Sequence, residues 1–203
     1  MDIDYRSRPN WGRMDIYQQA HFSRYVFASM HIRPTDVCGD FACGTAYGAC
    51  LLSSVAAKVV GVDRDKDVIE AVRLRYAANP KMELQAGNLL DLDYLTVFDK
   101  VVSFETLEHF REEDLLKLLV MFRRSLKNRG VVLLSVPYMQ PEADAVGGGF
   151  HLTWDIDEER VAKWLADSGF ESEGIYYQAY GDPLVQRHLH KPDFIVCVAR
   201  KSE

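Results

Sequence analysis

Between residues 37 and about 136 the chain switches repeatedly between short apolar runs and longer stretches of helical periodicity. Residues 37–41, 58–62, 82–85, 100–104 and 131–136 read as strands; 47–57, 66–79 and 112–126 read as the helices between them. The run from Lys100 to Phe104 is almost wholly apolar, as expected of a strand covered on both faces. In the helix after it, Leu115, Leu116, Leu119, Val120, Phe122 and Leu126 recur at helical spacing. Strands joined by helices of this length predict a parallel sheet with helices on both faces. Two later runs, 173–178 and 194–199, have no helical pattern between them and are expected to pair antiparallel at one edge. A helix over 17–30, with Tyr17, Phe22, Tyr25, Val26 and Ser29 near one face, precedes the sheet, and another over 157–167 ends at Ser168-Gly169.

At 203 residues the chain suits a single domain that needs no staples. It divides into an arm and helix (1–35), a ligand-binding half (36–137), and a loop with the last strands (138–203). Apolar residues make up 48% and charged residues 27%, which excludes disorder and a disulfide scaffold. The formal net charge of −6 argues against extended nucleic acid and anionic membranes as partners. No apolar run is long enough to cross a membrane, and the first ten residues lack a leader's basic and apolar blocks. Cys38, Cys43, Cys50 and Cys197 form no C-x-x-C pair, so reduced thiols in a cytoplasmic protein are expected.

In an open sheet of this kind ligands bind beyond the carboxyl ends of the strands, so the residues after each strand carry the information. The first such turn reads Asp40-Phe41-Ala42-Cys43-Gly44-Thr45-Ala46-Tyr47-Gly48, with small residues at alternate positions. Such a strand-to-helix turn lets backbone approach a ligand closely. It is neither G-x-G-x-x-G nor a P-loop, since no lysine follows the glycines. Asp63, at the tip of the next strand, is placed to accept both hydroxyls of a ribose. A tight turn and a helix-capping Asp explain the same residues without a ligand.

Here the sequence resembles the class I S-adenosylmethionine-dependent methyltransferases. Asp40, Ala42, Gly44 and Ala46 occupy that family's first motif, with alanine for the commoner glycine at 42 and 46. The resemblance spans residues 17 to about 178. It implies a Rossmann-like, seven-stranded, mostly parallel sheet and S-adenosyl-L-methionine as cofactor. It places the cofactor against Asp40, Ala42, Gly44, Ala46, Asp63, Arg64, Asn88, Leu89 and Phe104, with Asp63 at the ribose and the turn around Asn88 at the adenine. Asn at 88 keeps a side-chain oxygen acceptor where the family usually has Asp.

After the fourth strand comes Glu105-Thr106-Leu107-Glu108-His109. If helical from residue 105, its two carboxylates and imidazole share one face. Three roles are open: a structural helix start, a general base at His109 oriented by a carboxylate, or a divalent-metal site. His151, in Phe150-His151-Leu152-Thr153-Trp154, is the candidate fourth group, after a lid-length loop containing Gly147-Gly148-Gly149. E-x-x-E-H after strand four resembles two further groups, the ubiquinone-biosynthesis O-methyltransferases and the small-RNA 3′-terminal 2′-O-methyltransferases. The likeness to the second group implies Glu105, Glu108, His109 and His151 as ligands, and their mixed oxygen and nitrogen donors suit Mg²⁺ or Mn²⁺ without excluding Zn²⁺. A sulfonium methyl is already electrophilic, whereas a neutral hydroxyl is a poor nucleophile and needs a base or a metal. The expectation is therefore O-methylation of a small molecule or sugar. RNA 3′-end methylation and a cofactor-binding scaffold without catalysis are the rivals.

Two regions remain. Arg6, Arg8, Arg13, Arg24 and Arg33 make the N-terminal segment mildly basic. That segment is either a solvated arm or a flap bringing Tyr17, His21, Arg24 or Tyr25 to the site, where an Arg can meet a cofactor carboxylate or a substrate phosphate. His31, His188 and His190 read as surface or packing residues; Trp11 and Trp154 read as packing residues that can also line a pocket.

Overall fold

The computed structural model describes residues 14–142 and 151–203. The basic start of the arm, Trp11, and the glycine run of the lid-length loop lie outside the described residues. The elements run α1 (Ile16–Ser29), β1 (Val37–Phe41), α2 (Tyr47–Ser53), β2 (Lys58–Asp63), α3 (Lys66–Arg75), β3 (Met82–Ala86) and β4 (Phe98–Phe104). They continue with α4 (Glu112–Ser125), β5 (Leu126–Pro137), α5 (Glu158–Asp167), β6 (Phe170–Gln178) and β7 (Phe194–Lys201). The seven strands order as β3-β2-β1-β4-β5-β7-β6. The first five pair in parallel, and β7 runs antiparallel to both β5 and β6. The antiparallel edge is as the sequence predicts, with β7 inserted between β5 and β6. None of the described helices is long and apolar enough to cross a membrane.

Side-chain alternation along the strands builds two cores. Phe41, Val60, Val101, Val132 and Ile195 point to one face, where α4 and α5 cover them. Cys38, Val59, Val102, Leu133 and Val196 point to the other, under α1, α2 and α3. In α4, Leu115, Leu118, Leu119 and Phe122 are fully buried. Each is worth about 1.5–3 kcal/mol relative to exposure. Acids in the first turn of α4 and arginines in its last turn complement the helix dipole.

Local chemistry moves several boundaries from their expected places. The second helix stops at Ser53 instead of 57, because Ser53 and Ser54 hydroxyls donate back to Cys50 and Leu51 carbonyls while Ala57 N–H turns to Asp36. The third stops at Arg75, and Asn79 spends its amide on Ser53. In α1 the buried face carries Ala20, Ser23, Arg24, Tyr25, Phe27 and Ala28, while Tyr17 and Val26, expected inside, are exposed. An Asp15–Gln18 capping box starts this helix.

The largest departure follows β4. Residues 105–109 are not an α-helix: Glu105 sits at φ 51° and only Leu107–His109 form a 3₁₀ turn. The i, i+3, i+4 helical face expected there therefore does not form.

Candidate active site

The order β2-β1-β4 puts the reversal of the sheet between β1 and β4, so the crevice opens above their carboxyl ends. The turn after β1 takes the left-handed conformation at every second residue: Ala42 (φ 62°), Gly44 (φ 50°) and Ala46 (φ 58°). That backbone explains the family's preference for glycine there, since a Cβ in this region costs roughly 1–2 kcal/mol. Gly44 faces open space, with nothing within 4 Å of where a Cβ would stand.

Asp63 sits across this turn. Its Oδ2 accepts the Gly44 N–H at 2.8 Å and its Oδ1 accepts the Asp65 N–H at 3.0 Å. Both oxygens are held in place, and each keeps a lone pair for a further donor. Arg64 beside it is exposed. After β3, Asn88 caps a 3₁₀ turn through Leu90 N–H, and Leu89 is buried beneath it. Asp40 is fully buried; Tyr25 of α1 donates its hydroxyl to Oδ1 at 2.9 Å, and Oδ2 has no partner. Burial raises the Asp40 pKa to about 7, although the Tyr25 hydrogen bond opposes it. Tyr25 reaches Asp40 by passing over Gly48, where a Cβ would lie inside its ring, and its other edge packs on buried Phe104.

The turn after β4 gives the two glutamates different surroundings. The Glu105 N–H donates to the Ser135 carbonyl and hydroxyl, and the Ser135 hydroxyl donates to Glu105 Oε1 at 2.7 Å. Arg24 Nη2 stands 3.7 Å from the same oxygen. Glu108 is only 1% exposed, and neither carboxylate oxygen has a hydrogen-bond partner. Burial, reinforced by the Glu105 charge, pushes its pKa well above the usual carboxylate range. Its backbone carbonyl accepts Leu152 and Thr153 N–H, and the Thr153 hydroxyl donates to the Phe110 carbonyl. Those bonds stitch the segment after the long loop onto the turn and bring His151 to His109, ring centres 5.0 Å apart. Glu108, His109 and His151 thus offer ligand atoms all within 4.8 Å of one another. Glu105, the fourth expected ligand, is not in that group. Trp154, expected inside, is half-buried with its ring against His151.

The helix α1 supplies what sequence reasoning only partly saw. His21, Arg24 and Tyr25, at i, i+3 and i+4, all turn inward. His21 Nδ1 pairs with the Tyr47 hydroxyl. Desolvation and the Arg24 charge lower the His21 pKa, with the Phe104 carbonyl pulling the other way. Ser135, Tyr47 and Gln178 carried no motif, because each acquires its role from a strand or helix distant in sequence.

A family model described as "Methyltransferase domain" matches residues 39–134, from β1 to β5. The match covers 96 residues, just under half of the chain. A probable S-adenosylmethionine-dependent methyltransferase of Mycolicibacterium smegmatis is 32% identical over 72% of this chain and 57% of its own length. A probable S-adenosylmethionine-dependent methyltransferase of Mycobacterium tuberculosis is 31% identical over 63% of this chain and 46% of its own length. The chain thus spans about half the length of these curated relatives. In fold, the chain resembles an S-adenosylmethionine-dependent methyltransferase from Clostridium acetobutylicum (TM-score 0.73, 13% identity, 95% of this chain and 94% of that one). It is equally like the [4+2]-cyclase SpnF (TM-score 0.75, 14% identity, 95% of this chain and 85% of that one). The fold therefore does not by itself fix the reaction, and the site must.

Proposed function

We propose that this domain transfers the methyl group of S-adenosyl-L-methionine to a hydroxyl of a small molecule or sugar. The observation that carries the reading is the Asp63 carboxylate, fixed by two backbone N–H groups beside a turn whose Gly44 opens onto free space. That arrangement fits a nucleoside: Asp63 accepts ribose hydroxyls, and Asn88 offers its side-chain oxygen beside the adenine. Ala42, Gly44 and Ala46 keep the backbone bare for close approach, with Leu89 and Phe104 beneath. Asp40 acts behind the turn, through Tyr25, and not at the ligand surface. The cofactor, when bound, supplies an electrophilic methyl group, so the protein's task is to align a hydroxyl and take its proton.

Glu105 and His109, either side of the β4 turn, are the groups for that task. His109 is exposed, with Nε2 4.0 Å from Glu108 Oε1. A second reading adds a divalent cation, and the two unpartnered, buried oxygens of Glu108 favour it. Glu108, His109 and His151 would hold the ion, and one carboxylate with two imidazoles suits Mn²⁺ or Zn²⁺ better than Mg²⁺. A cation there lowers the pKa of a bound hydroxyl. Four unpaired cysteines accord with a reducing, cytoplasmic setting.

Labelled S-adenosylmethionine, incubated with a panel of catechols, sugars and polyols, tests the reading. Label is expected in a hydroxyl acceptor. Transfer only to nitrogen or carbon acceptors would overturn O-methylation. Full activity in chelator would leave the metal-free base, and recovery on Mn²⁺ or Zn²⁺ add-back would establish the cation.

A further inference from the structure

The rings of His109 and His151 meet although the two residues come from distant parts of the chain. The bonds that seat His151 are made by its neighbours, Leu152 and Thr153, to the turn that carries His109. They fix the near end of the segment. Its far end is fixed by one guanidinium. Arg160, in the first turn of α5, has its backbone N–H held by the Asp157 cap. Its Nη1 donates to the Trp154 carbonyl, and the Asp155 carbonyl stands 3.4 Å from the same nitrogen. Its Nη2 donates to Glu112 Oε2 at 3.2 Å. Glu112 Oε1 in turn accepts the Trp164 indole N–H at 2.8 Å, and the guanidinium lies over that indole at 5.1 Å. Trp164 is buried, so the network is anchored in the core.

The spacing of these contacts carries the inference. Glu112 begins α4 three residues after His109, and Trp154 stands three residues after His151. One guanidinium therefore grips both chain segments that carry the pair, at the same distance along each. The second segment needs such a grip. Met139 N–H donates to the Ile156 carbonyl and Asp155 N–H to the Gln140 carbonyl, and Met139 and Asp155 both take positive φ, 47° and 50°. Non-glycine residues keep that conformation only where their surroundings enforce it. An ion pair as exposed as Arg160–Glu112 adds little stability by itself. A planar guanidinium with donors on both edges does fix the separation of two acceptors, which a lysine ammonium cannot do.

We propose that Arg160 is a positioning residue for the His109–His151 pair. It acts through the Trp154 carbonyl on one side and Glu112 on the other, and holds the two imidazoles in the register that methyl transfer needs. The inference rests on the reading of His109 given above, and the test separates the two. The nuclear Overhauser cross-peak between the imidazole protons of His109 and His151 reports the pair itself. Transfer of label from S-adenosylmethionine to catechol reports its use, and calorimetry with S-adenosylhomocysteine reports the rest of the site. In R160M the cross-peak is expected to be lost and turnover to fall about tenfold or more, with S-adenosylhomocysteine binding within about twofold of wild type. R160K, which keeps the charge without the fork, is expected to recover only part of the loss. E112Q, which weakens one end of the grip, is expected to show a smaller loss in the same direction, and these two variants carry the comparison if R160M does not fold. A cross-peak that survives in the variants, or turnover that survives the loss of the cross-peak, would overturn the assignment. So would an equal loss of S-adenosylhomocysteine affinity, which marks a general structural role. If the wild-type protein transfers no label, the reading of His109 falls, and the cross-peak alone decides whether Arg160 holds the pair.

Discussion

The two halves of the ligand-facing edge treat their carboxylates in opposite ways. On the β1–β2 side, Asp63 is fixed by local backbone: Gly44 and Asp65 donate to its two oxygens. On the β4–β5 side, Glu108 is buried with both oxygens unpartnered, in a cluster completed only by His151 from 43 residues onward along the chain. The first region is finished before any ligand arrives. The second holds a costly buried group that the protein meets with little, His109 Nε2 standing 4.0 Å away, as expected of a site whose partner comes from outside.

This contrast breaks most readily at Asp63. Asp63→Ala removes the acceptor for two backbone N–H groups and for the ribose, so S-adenosylhomocysteine should bind roughly ten- to a hundredfold more weakly. Calorimetry reads the change directly, and an unaltered affinity would remove Asp63 from the site.

The next largest effect is of opposite sign. In chelator, Glu108→Leu should stabilise the protein by about 1–3 kcal/mol, because an unpaired buried carboxyl is lost. That corresponds to several degrees in Tm at this chain length. A lower Tm in chelator would mean that the Glu108 carboxyl is satisfied in the folded protein, and the contrast with Asp63 would disappear.

A third test, read as a pH dependence, concerns Asp40, the one carboxylate of that region that resembles Glu108. Its pKa is raised in the folded state from 3.8 to about 7. A raised folded value means that its contribution is complete below pH 4 and is lost as pH rises to about 7. The Tm of wild type should therefore fall relative to Asp40→Asn between pH 4 and 8. A constant difference across that window would show that Asp40 stays ionised.

The same contrast explains what was legible in the sequence. The parallel strands, the β1 turn and Asp63 depend on neighbours within one βαβ unit, and periodicity with small-residue spacing reveals them; the antiparallel edge shows in the missing helix between β6 and β7. Glu105-Thr106-Leu107-Glu108-His109 misleads because its helix never forms. Two hydrogen bonds from Glu105 N–H to Ser135 and a positive φ hold Glu105 outside any helix, and only Leu107–His109 form a 3₁₀ turn. Ser135 is 30 residues distant, so no local pattern records the constraint. The same holds for α1, where the segment reads first as a solvated arm and only second as a flap, while Gln178, 154 residues away, fixes Arg24.

One titration bears most directly on the central claim that the β2–β1–β4 edge is a cofactor site. S-adenosylhomocysteine added to the wild-type protein should bind at one site per chain and raise its Tm as the ligand concentration rises. No heat of binding and no change in Tm at millimolar ligand would contradict it.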